Sequence, residues 1–349
     1  MQDKKNREIR LKRRPQGMPS AEDFELIETA VPVPRDGQVL VRNSYMSVDP
    51  YMRGRMIDQK SYVPPFQIGE TLTGGAVGEI VASNVAGLKP GDFVQSNYGW
   101  REWFVAGGNE VQKIDADLGP VQSYLGALGM TGLTAYAGLL KVAELKDGER
   151  VFVSAASGAV GSIVCQIAKT KGCYVVGSVG SDEKAAYLTQ ELGVDKAVNY
   201  KTAPDLTKAV AAASPEGIDV YFENVGGAHL QAAIANMRPF GRIAACGMIA
   251  EYNATEPSHG PNNLIKIVGL RLTIRGFIVG DHFALRPDFL RDMAHWMKSG
   301  KMKWRDTVAF GIESAAQAFI GLFNGEHIGK MLVQLVPDGA TSERGSASR

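Results

Sequence analysis

One stretch, VFVSAASGAVG at residues 151–161, decides the fold. It opens with an apolar strand pattern and leads into an amphipathic helical pattern at 159–171. Ala156, Gly158 and Gly161 occupy the fingerprint positions of a dinucleotide-binding turn, as A-x-G-x-x-G in place of G-x-G-x-x-G. At the second position a glycine lets the backbone approach a pyrophosphate at the helix N-terminus, and at the third it allows close packing of helix on strand.

The residues around this stretch alternate between apolar strands and amphipathic helices as far as about Lys298. The strand candidates are Val151–Ser154, Tyr174–Ser178, Ala197–Asn199, Asp219–Glu223, Arg242–Cys246 and Leu272–Phe277. The helical patterns lie at 159–171, 182–192, 205–213, 228–236 and 288–299. Such alternation predicts an α/β fold, a doubly wound parallel sheet of the Rossmann type. In that context the turn, with Ala159 and Val160 inside it, predicts dinucleotide binding, and packing alone is the alternative.

The rest of the chain has a different character. Residues 25 to about 125 hold short β-branched segments separated by Gly/Pro clusters, which is typical of an antiparallel domain. Leu125–Leu140 is rich in small apolar residues at helical spacing and predicts one tightly packed helix. Strands return after Gly300, notably Lys330–Leu335. The predicted domains are 1–127 (β-rich), 128–299 (dinucleotide-binding), 300–337 (a return to the first domain) and 338–349 (a disordered tail).

Composition excludes several classes of function. The chain has 38 basic and 37 acidic residues among 349, a net charge of +1, so neither nucleic acid nor a membrane surface is an expected partner. No apolar run approaches the ~18 residues that span a bilayer. The basic N-terminus lacks an apolar signal region, so the expected location is the cytoplasm. Its alternation of Ile9 and Leu11 with charges predicts a first edge strand.

The end of the second predicted strand indicates which dinucleotide binds. An NAD site would place an acid at the end of this strand. Here the strand end is followed by Gly180 and Ser181, and the first acids come only after them. Asp182 and Glu183 fall in the first helical turn, where the helix dipole favours acids in any case. Lys184 then lies within reach of a 2′-phosphate, which favours NADPH; a plain surface lysine is the alternative.

Metal chemistry lacks ligands in this sequence. The three cysteines, Cys165, Cys173 and Cys246, lie in apolar stretches with no metal-ligand spacing, and the first histidine is His229. We therefore expect no metal, and we expect the cysteines to act as small buried hydrophobes. Without a Lewis acid, hydride addition to a conjugated double bond is easier than reduction of an isolated carbonyl, because the charge spreads into an enolate.

Several segments in register resemble a known family. They are SVDPYMRGRM (47–56), AASGAVG (155–161), GSDEKAAYL (180–188), NYKT (199–202), YFENVGG (221–227) and CGMIAEYN (246–253). From about Leu11 to about Leu335 the chain resembles the zinc-independent medium-chain dehydrogenase/reductases, in the branch of prostaglandin reductases, 2-alkenal reductases and bacterial curcumin reductase. The resemblance implies a barrel-like (GroES-like) β-domain completed by the C-terminal strands, a Rossmann domain that binds NADPH, and a homodimer.

The resemblance also implies roles for individual residues. Those matching the family's cofactor contacts are Met130, Thr134, Lys184, Tyr200, Asn224, Cys246, Gly247, Met248 and Phe277. Lys184 and Tyr200 are implied to bind the 2′-phosphate, and Tyr252 to lie near the substrate carbonyl. One departure concerns Gly325–Lys330, where His327 stands in place of the branch's usual asparagine and is the residue implied to contact the cofactor.

These residues predict a reaction. NADPH is expected to deliver hydride to the β-carbon of a small apolar enone or enal, while Tyr252 donates a hydrogen bond to the carbonyl oxygen. A loop tyrosine that packs on the sheet is the alternative for Tyr252. The predicted substrate wall is apolar and is formed by Tyr51, Tyr62, Phe277 and Ile278. For Tyr62, a structural role is an equal alternative.

Two other functions fit the same residues. A zinc-free NADPH quinone reductase would use the same fold and cofactor. A non-catalytic nucleotide-binding protein, acting as a redox sensor, would retain the dinucleotide-binding turn but catalyse no reaction. The apolar, tyrosine-bearing β-rich domain argues against this alternative.

Overall fold

The computed structural model describes residues 5–336. The predicted disordered tail at 338–349 lies outside these residues. Contacts divide the described residues into two units, of which the first comprises 5–125, 307–324 and 331–336 and the second comprises 126–306 and 325–330. The second unit therefore includes 300–306 and the short segment 325–330, both of which the sequence assigned to the returning strands.

The secondary structure follows the alternation of the sequence. The strands are β1 (Lys5–Leu11), β2 (Phe24–Ala30), β3 (Gln38–Ser47), β4 (Ala76–Ser83), β5 (Phe93–Ser96), β6 (Trp103–Gly107), β7 (Gln112–Lys113), β8 (Arg150–Val153), β9 (Tyr174–Val179), β10 (Lys196–Asn199), β11 (Ile218–Glu223), β12 (Met237–Ala245), β13 (Thr273–Gly276), β14 (Asp306–Phe310) and β15 (Lys330–Gln334). The helices are α1 (Met52–Arg55), α2 (Met130–Ala137), α3 (Gly161–Thr170), α4 (Asp182–Ala186), α5 (Leu206–Ala213), α6 (Gly227–Asn236), α7 (Lys266–Leu270), α8 (Arg286–Lys298) and α9 (Ala315–Asn324).

The second unit contains the predicted parallel sheet, with six strands in the order β10-β9-β8-β11-β12-β13. Its central strands are continuous apolar runs that are buried on both faces, as helices on both sides of a parallel sheet require. Because chain order reverses between β8 and β11, the carboxyl ends of these two strands border the crevice where such sheets bind ligands. The α/β prediction is confirmed.

The first unit is antiparallel. One sheet has the order β14-β15-β3-β4-β5-β7, with β6 also paired to β3, and β1 and β2 form a separate pair. Strand β15 returns from the end of the chain to pair with β3, as the pattern of Lys330–Leu335 predicted. Ile9 and Leu11 of β1 are buried, which confirms the predicted first strand. The core is aromatic, with Trp100 stacked on Phe24 at 5.9 Å between ring centroids.

The segment Leu125–Leu140 is not one helix, contrary to prediction. Helix α2 begins only at Met130, and a π-helical turn (Gly138–Val142) follows it. Close packing at glycines explains the interruption, because a Cβ on Gly132 would lie 2.0 Å from the Ala127 carbonyl oxygen. Gly132 therefore permits close backbone contact near the start of the helix, and Gly138 permits contact with the rings of Phe222 and Phe277 where the π-helical turn begins.

The remaining predictions concern single residue types. Cys165 and Cys173 are buried, whereas Cys246 is half-buried, and burial raises the pKa of all three thiols. Thiols held protonated in this way behave as hydrophobes, as expected. Within residues 5–336 no helix combines the length and apolarity that crossing a bilayer demands.

Candidate cofactor and active site

The turn between β8 and α3 has the shape that the fingerprint predicts. Ala155 adopts a positive φ of 47°, and the N–H of Gly158 donates to its carbonyl at 3.0 Å. A Cβ on Gly161 would lie 2.4 Å from that same oxygen, so only glycine fits at the start of the helix. Gly158, Ala159 and Val160 are half-exposed, which leaves the turn open to a ligand.

Ala156 has a different role from its neighbours in the fingerprint. It is fully buried, and its N–H donates to the Ser178 carbonyl at 3.0 Å. Its Cβ also lies 2.8 Å from the position that a side chain on Gly177 would take. Ala156 therefore fixes the turn to β9. The residues that remain accessible to a phosphate are the half-exposed Gly158, Ala159 and Val160.

The segment Gly325–Lys330 runs alongside the same turn. The N–H of Gly329 donates to the Ser157 carbonyl at 2.7 Å, and Gly329 forms a β-bridge with Gly158. At the other end of the segment, Lys184 Nζ donates to the Gly325 carbonyl at 2.7 Å. The fingerprint turn and the predicted 2′-phosphate lysine are thus joined through one short segment.

The predicted 2′-phosphate site is assembled around Gly180. A Cβ there would lie 3.1 Å from the Tyr200 hydroxyl and 3.3 Å from Lys201 Cε. Ser181 caps α4 by accepting from the N–H of Lys184. Burial, followed by the charge of Lys201, lowers the pKa of Lys184. A lysine and a tyrosine hydroxyl beside this glycine, with Lys184 in the helix that follows it, suit a phosphate dianion.

Lys201 was missed by the sequence reasoning. It stands beside Tyr200 in the quoted NYKT segment, which was the available signal. His229 was also missed as a supporting residue. Its Nε2 lies 2.9 Å from Ser178 Oγ, and its ring meets the edge of Tyr200 at 4.9 Å between centroids. Burial lowers its pKa to about 4, so it packs beneath Tyr200 as a neutral ring.

A buried network occupies the ends of β8 and β11. Glu223 Oε1 accepts from Ser154 Oγ at 3.0 Å and from the Tyr221 hydroxyl at 2.7 Å. The same oxygen accepts from the N–H groups of Val225 and Gly226 at 2.6 and 2.9 Å. The carboxylate therefore fixes the turn after β11. Glu223 was missed by the sequence reasoning, although it stands beside Asn224 in the YFENVGG segment.

Asn224 is held by this network. Its N–H donates to Ser154 Oγ at 2.9 Å and its side-chain amide donates to the Ser154 carbonyl at 2.7 Å. The side-chain amide is thereby directed across the crevice toward β8, where the family resemblance placed a cofactor contact. The backbone carbonyl of Asn224 also accepts from the N–H of Ile249 at 3.2 Å. Asn224 therefore links the loop after β11 to the loop after β12.

The loop after β12 brings Tyr252 to the predicted cofactor residues. Cys246 and Gly247 donate their N–H groups to the Glu223 carbonyl at 2.9 and 3.1 Å. A Cβ on Gly247 would lie 2.9 Å from the Tyr252 hydroxyl, so that hydroxyl stands over bare backbone. Burial, followed by the Glu223 charge, raises the pKa of Cys246 to about 12. Of the groups here, the tyrosine hydroxyl is therefore the better placed donor.

Met248 packs against the turn that Glu223 fixes. A Cβ on Gly226 would lie 3.0 Å from Met248 Cβ. The structure thus collects Asn224, Gly247, Met248 and Tyr252 in two adjoining loops at the carboxyl edge of the sheet.

The other predicted residues of the second unit lie on α2 and after β13. Thr134 Oγ1 donates to the Met130 carbonyl at 2.7 Å, which fixes its rotamer within the first turns of α2. Phe277 meets Phe222 edge-on at 6.3 Å and contacts Gly138, where a Cβ would lie 2.4 Å from the ring. Ile278 is half-buried at the next position. Phe277 thus has a packing role within the unit in addition to any ligand contact.

Tyr51 and Tyr62 belong to the first unit. Tyr51 begins α1, packs against the aromatic core and is hydrogen-bonded to Arg55. Burial raises its pKa above the ordinary range. Tyr62 is 62% exposed on the Pro-rich loop. Their roles as substrate contacts stay predictions.

His327 lies in the middle of the segment that joins the two predicted phosphate sites. Its Nδ1 is buried, with no hydrogen-bond partner among the described residues. Burial, followed by the charges of Lys184 and Lys330, lowers its pKa to about 4. The open turn, the neighbouring lysines Lys184 and Lys201 and this unsatisfied nitrogen all fit an anionic dinucleotide with a 2′-phosphate.

A metal ion finds no comparable set of ligands. In the part of the chain that the structure describes, no group of three or more His, Cys, Asp or Glu side chains is arranged to hold one. The absence of zinc nevertheless stays a prediction.

Comparisons with known proteins agree with this geometry. Residues 7–114 match the N-terminal domain of oxidoreductase, and residues 159–299 match the family described as zinc-binding dehydrogenase. The NADPH-dependent curcumin reductase of Escherichia coli is 41% identical over 97% of this chain and 99% of its own. The NADP-dependent 2-alkenal reductase of Nicotiana tabacum is 44% identical over 95% and 97%. The crystal structure of CurA from Vibrio vulnificus in complex with NADPH superposes with a TM-score of 0.90, at 40% identity over 95% of this chain and 99% of that one.

Proposed function

The chain belongs to the medium-chain dehydrogenase/reductase family, in the branch of curcumin and 2-alkenal reductases, and from that premise we propose that it reduces the C=C bond of α,β-unsaturated ketones and aldehydes with NADPH. The observation that carries the proposal is the set of groups around Gly180. Tyr200 and Lys201 lie beside that glycine, and Lys184 in the following helix is close enough to Lys201 for its pKa to be lowered by that charge, so the three suit a 2′-phosphate that NADH lacks.

In this proposal the bound cofactor supplies hydride to the β-carbon of the substrate. The protein's part is to hold the carbonyl oxygen and to stabilise the enolate as its charge develops. Tyr252 is the proposed donor, because its hydroxyl stands over the bare backbone of Gly247 at the edge of the sheet. The enolate then takes a proton at its α-carbon, from Tyr252 or from water.

The buried network supports the donor from behind. Glu223 fixes the turn after β11. Its backbone carbonyl accepts hydrogen bonds from the N–H groups of Cys246 and Gly247, at the start of the loop after β12 that contains Tyr252. Asn224 joins that loop to the end of β8. We propose that this arrangement keeps the hydroxyl in place at little cost in reorganisation.

Replacing Tyr252 tests the mechanism. In Tyr252→Phe we expect kcat on an enone such as 3-nonen-2-one to fall about 100-fold, the scale of a lost proton donor. The Kd for NADPH, measured by fluorescence, should stay unchanged. Tyr98→Phe removes a hydroxyl that is bound to Glu110 in the first unit and serves as the matched control.

Several outcomes would count against the proposal. Undiminished turnover of Tyr252→Phe would remove the tyrosine as donor. Rapid turnover of quinones, with enones inert, would identify a quinone reductase. Tight NADPH binding without turnover of either class would favour a redox sensor.

We also propose a homodimer formed through β13. This strand is an edge of the parallel sheet and all four of its residues are exposed, Ile274 to 39%. The neighbouring Ile265 and Val268 are 77% and 72% exposed. An open edge flanked by apolar side chains is suited to pairing with a second copy across a two-fold axis. Light scattering should give twice the monomer mass, and Val268→Lys should lower it. The cytoplasmic location stays a prediction.

A further inference from the structure

The segment Gly325–Lys330 connects two anion-binding regions of the second unit. Through Gly329 it is hydrogen-bonded to Ser157, in the turn proposed to hold the pyrophosphate. Through Gly325 it is hydrogen-bonded to Lys184, in the region proposed to hold the 2′-phosphate. A side chain in the middle of this segment therefore lies between two places where negative charge arrives.

That side chain is His327, and it has an unused polar atom. Its Nδ1 is buried and makes no hydrogen bond to any residue that the structure describes. Leaving a buried polar atom without a partner is costly, so such an atom usually has one, whether a protein group, an ordered water or a ligand. A ligand that lies against this segment would supply the missing partner.

The charges around the imidazole indicate what kind of partner it needs. Those that act on it are Lys184, from α4, and Lys330, from its own segment, and both are positive. The adjoining turn, residues 154–161, contains no titratable side chain. Arg305, whose carbonyl accepts from the N–H of Lys330, places its guanidinium over the ring of Tyr187 at 5.7 Å. Burial and the charges of Lys184 and Lys330 lower the pKa of His327 to about 4, which keeps the ring neutral.

A phosphate reverses that balance. Its negative charge offsets the two lysines and favours the imidazolium, whose ring nitrogens both donate. We propose that His327 is a proton-coupled phosphate ligand, which takes up one proton from solvent when NADPH binds and donates its Nδ1–H to a phosphate oxygen of the cofactor. This inference rests on the proposed use of NADPH, and it predicts that cofactor affinity rises as the pH falls through the neutral range.

Proton uptake can be measured directly, without turnover. Titration calorimetry of NADPH binding at pH 6.5, in buffers of different ionisation enthalpy, gives the number of protons taken up. We expect the wild type to take up about half a proton or more beyond His327→Asn, because a ring that is neutral when free and charged when bound must gain that much. His327→Asn retains a neutral donor and subtracts any titration of the 2′-phosphate itself.

Two controls sharpen the result. His295→Asn removes an exposed histidine of α8 and should behave as the wild type. His327→Gln provides a second neutral replacement and should match His327→Asn. If the excess uptake persists with NADH, the partner is the pyrophosphate; if it occurs only with NADPH, the partner is the 2′-phosphate.

Equal proton uptake by the wild type and His327→Asn would overturn the inference, because His327 would then bind, if at all, as a neutral ring. That result would leave the proposed function intact. Failure of the wild type to bind any nicotinamide nucleotide would instead overturn the proposed function, and this inference with it.

Discussion

The turn after β8 and the loop after β12 lie at the same edge of one sheet, yet different forces shape them. In the turn, backbone hydrogen bonds and the steric limit at Gly161 leave one conformation. In the loop, residues 254–260 are exposed, and Tyr252 gains its position from a contact with Gly247. The turn is thus determined by local sequence, whereas the loop depends on packing against distant residues.

This difference matches the division of labour that we propose. A pyrophosphate is the same in every dinucleotide, so a fixed turn of backbone N–H groups suits it. Substrates of a reductase vary in shape, and exposed loops accommodate variation. Matched substitutions in the turn and in the loop should therefore differ in their effect on the free energy of unfolding and on NADPH binding.

The largest effect is expected from adding a methyl group to the turn. In Gly161→Ala the new Cβ would meet the Ala155 carbonyl oxygen at 2.4 Å, and backbone must move. We expect a loss of about 3 kcal/mol in the free energy of unfolding, measured by urea denaturation, together with weaker NADPH binding. Gly260→Ala is the matched control, because nothing lies within 4 Å of its Cβ. Equal stability of the two variants would contradict the steric argument.

A smaller effect concerns pH, and His229 should produce it. Its pKa of about 4 lies below the unfolded value of about 6.5, so the unfolded state binds more protons and acid favours unfolding. The neutral His229 ring contributes fully to the free energy of unfolding above pH 6.5. Between pH 7 and pH 5 this contribution should fall by about 2 kcal/mol. In His229→Gln this part of the loss should vanish, as denaturation curves at both pH values would reveal.

The exposed His259 of the loop provides the comparison for this pH effect. Replacing it by Gln should leave the acid dependence of the wild type unaltered. If His229→Gln also kept the full dependence, the buried ring beneath Tyr200 would not be its source.

The smallest effect is on cofactor choice. Lys184→Ala should weaken NADPH binding about tenfold, or about 1.4 kcal/mol, because Lys201 and Tyr200 remain beside Gly180. NADH binding should change little, since NADH lacks the 2′-phosphate. Fluorescence titration with both nucleotides measures the ratio. An unaltered preference would mean that the 2′-phosphate is held without Lys184.

Local patterns explain how much of the fold could be predicted. The strands of the second unit, the turn and the return of β15 all follow from periodicity and from small residues at fixed offsets. The course of Leu125–Leu140 could not be predicted in this way, because Gly132 packs against the Ala127 carbonyl and the Phe289 ring, and Gly138 packs against the rings of Phe222 and Phe277 far along the chain. Helical spacing alone does not report such contacts.

The same limit applies to the site. The sequence singled out Gly158, Gly161 and Lys184 because the roles predicted for them follow from their positions relative to a strand and the helix after it. Glu223 was not singled out, since its role depends on Ser154, 69 positions away. His229, on α6, was missed for a similar reason, as its partner Ser178 lies 51 positions earlier on β9.

The most direct test of the account follows the hydride itself. NADPH that carries deuterium at the transferred C4 position is incubated with the protein and a conjugated enone, and the product is examined by NMR. The account predicts a saturated ketone with deuterium on the β-carbon. An allylic alcohol with deuterium on the carbinol carbon would contradict it, because hydride would then have reached the carbonyl instead of the double bond.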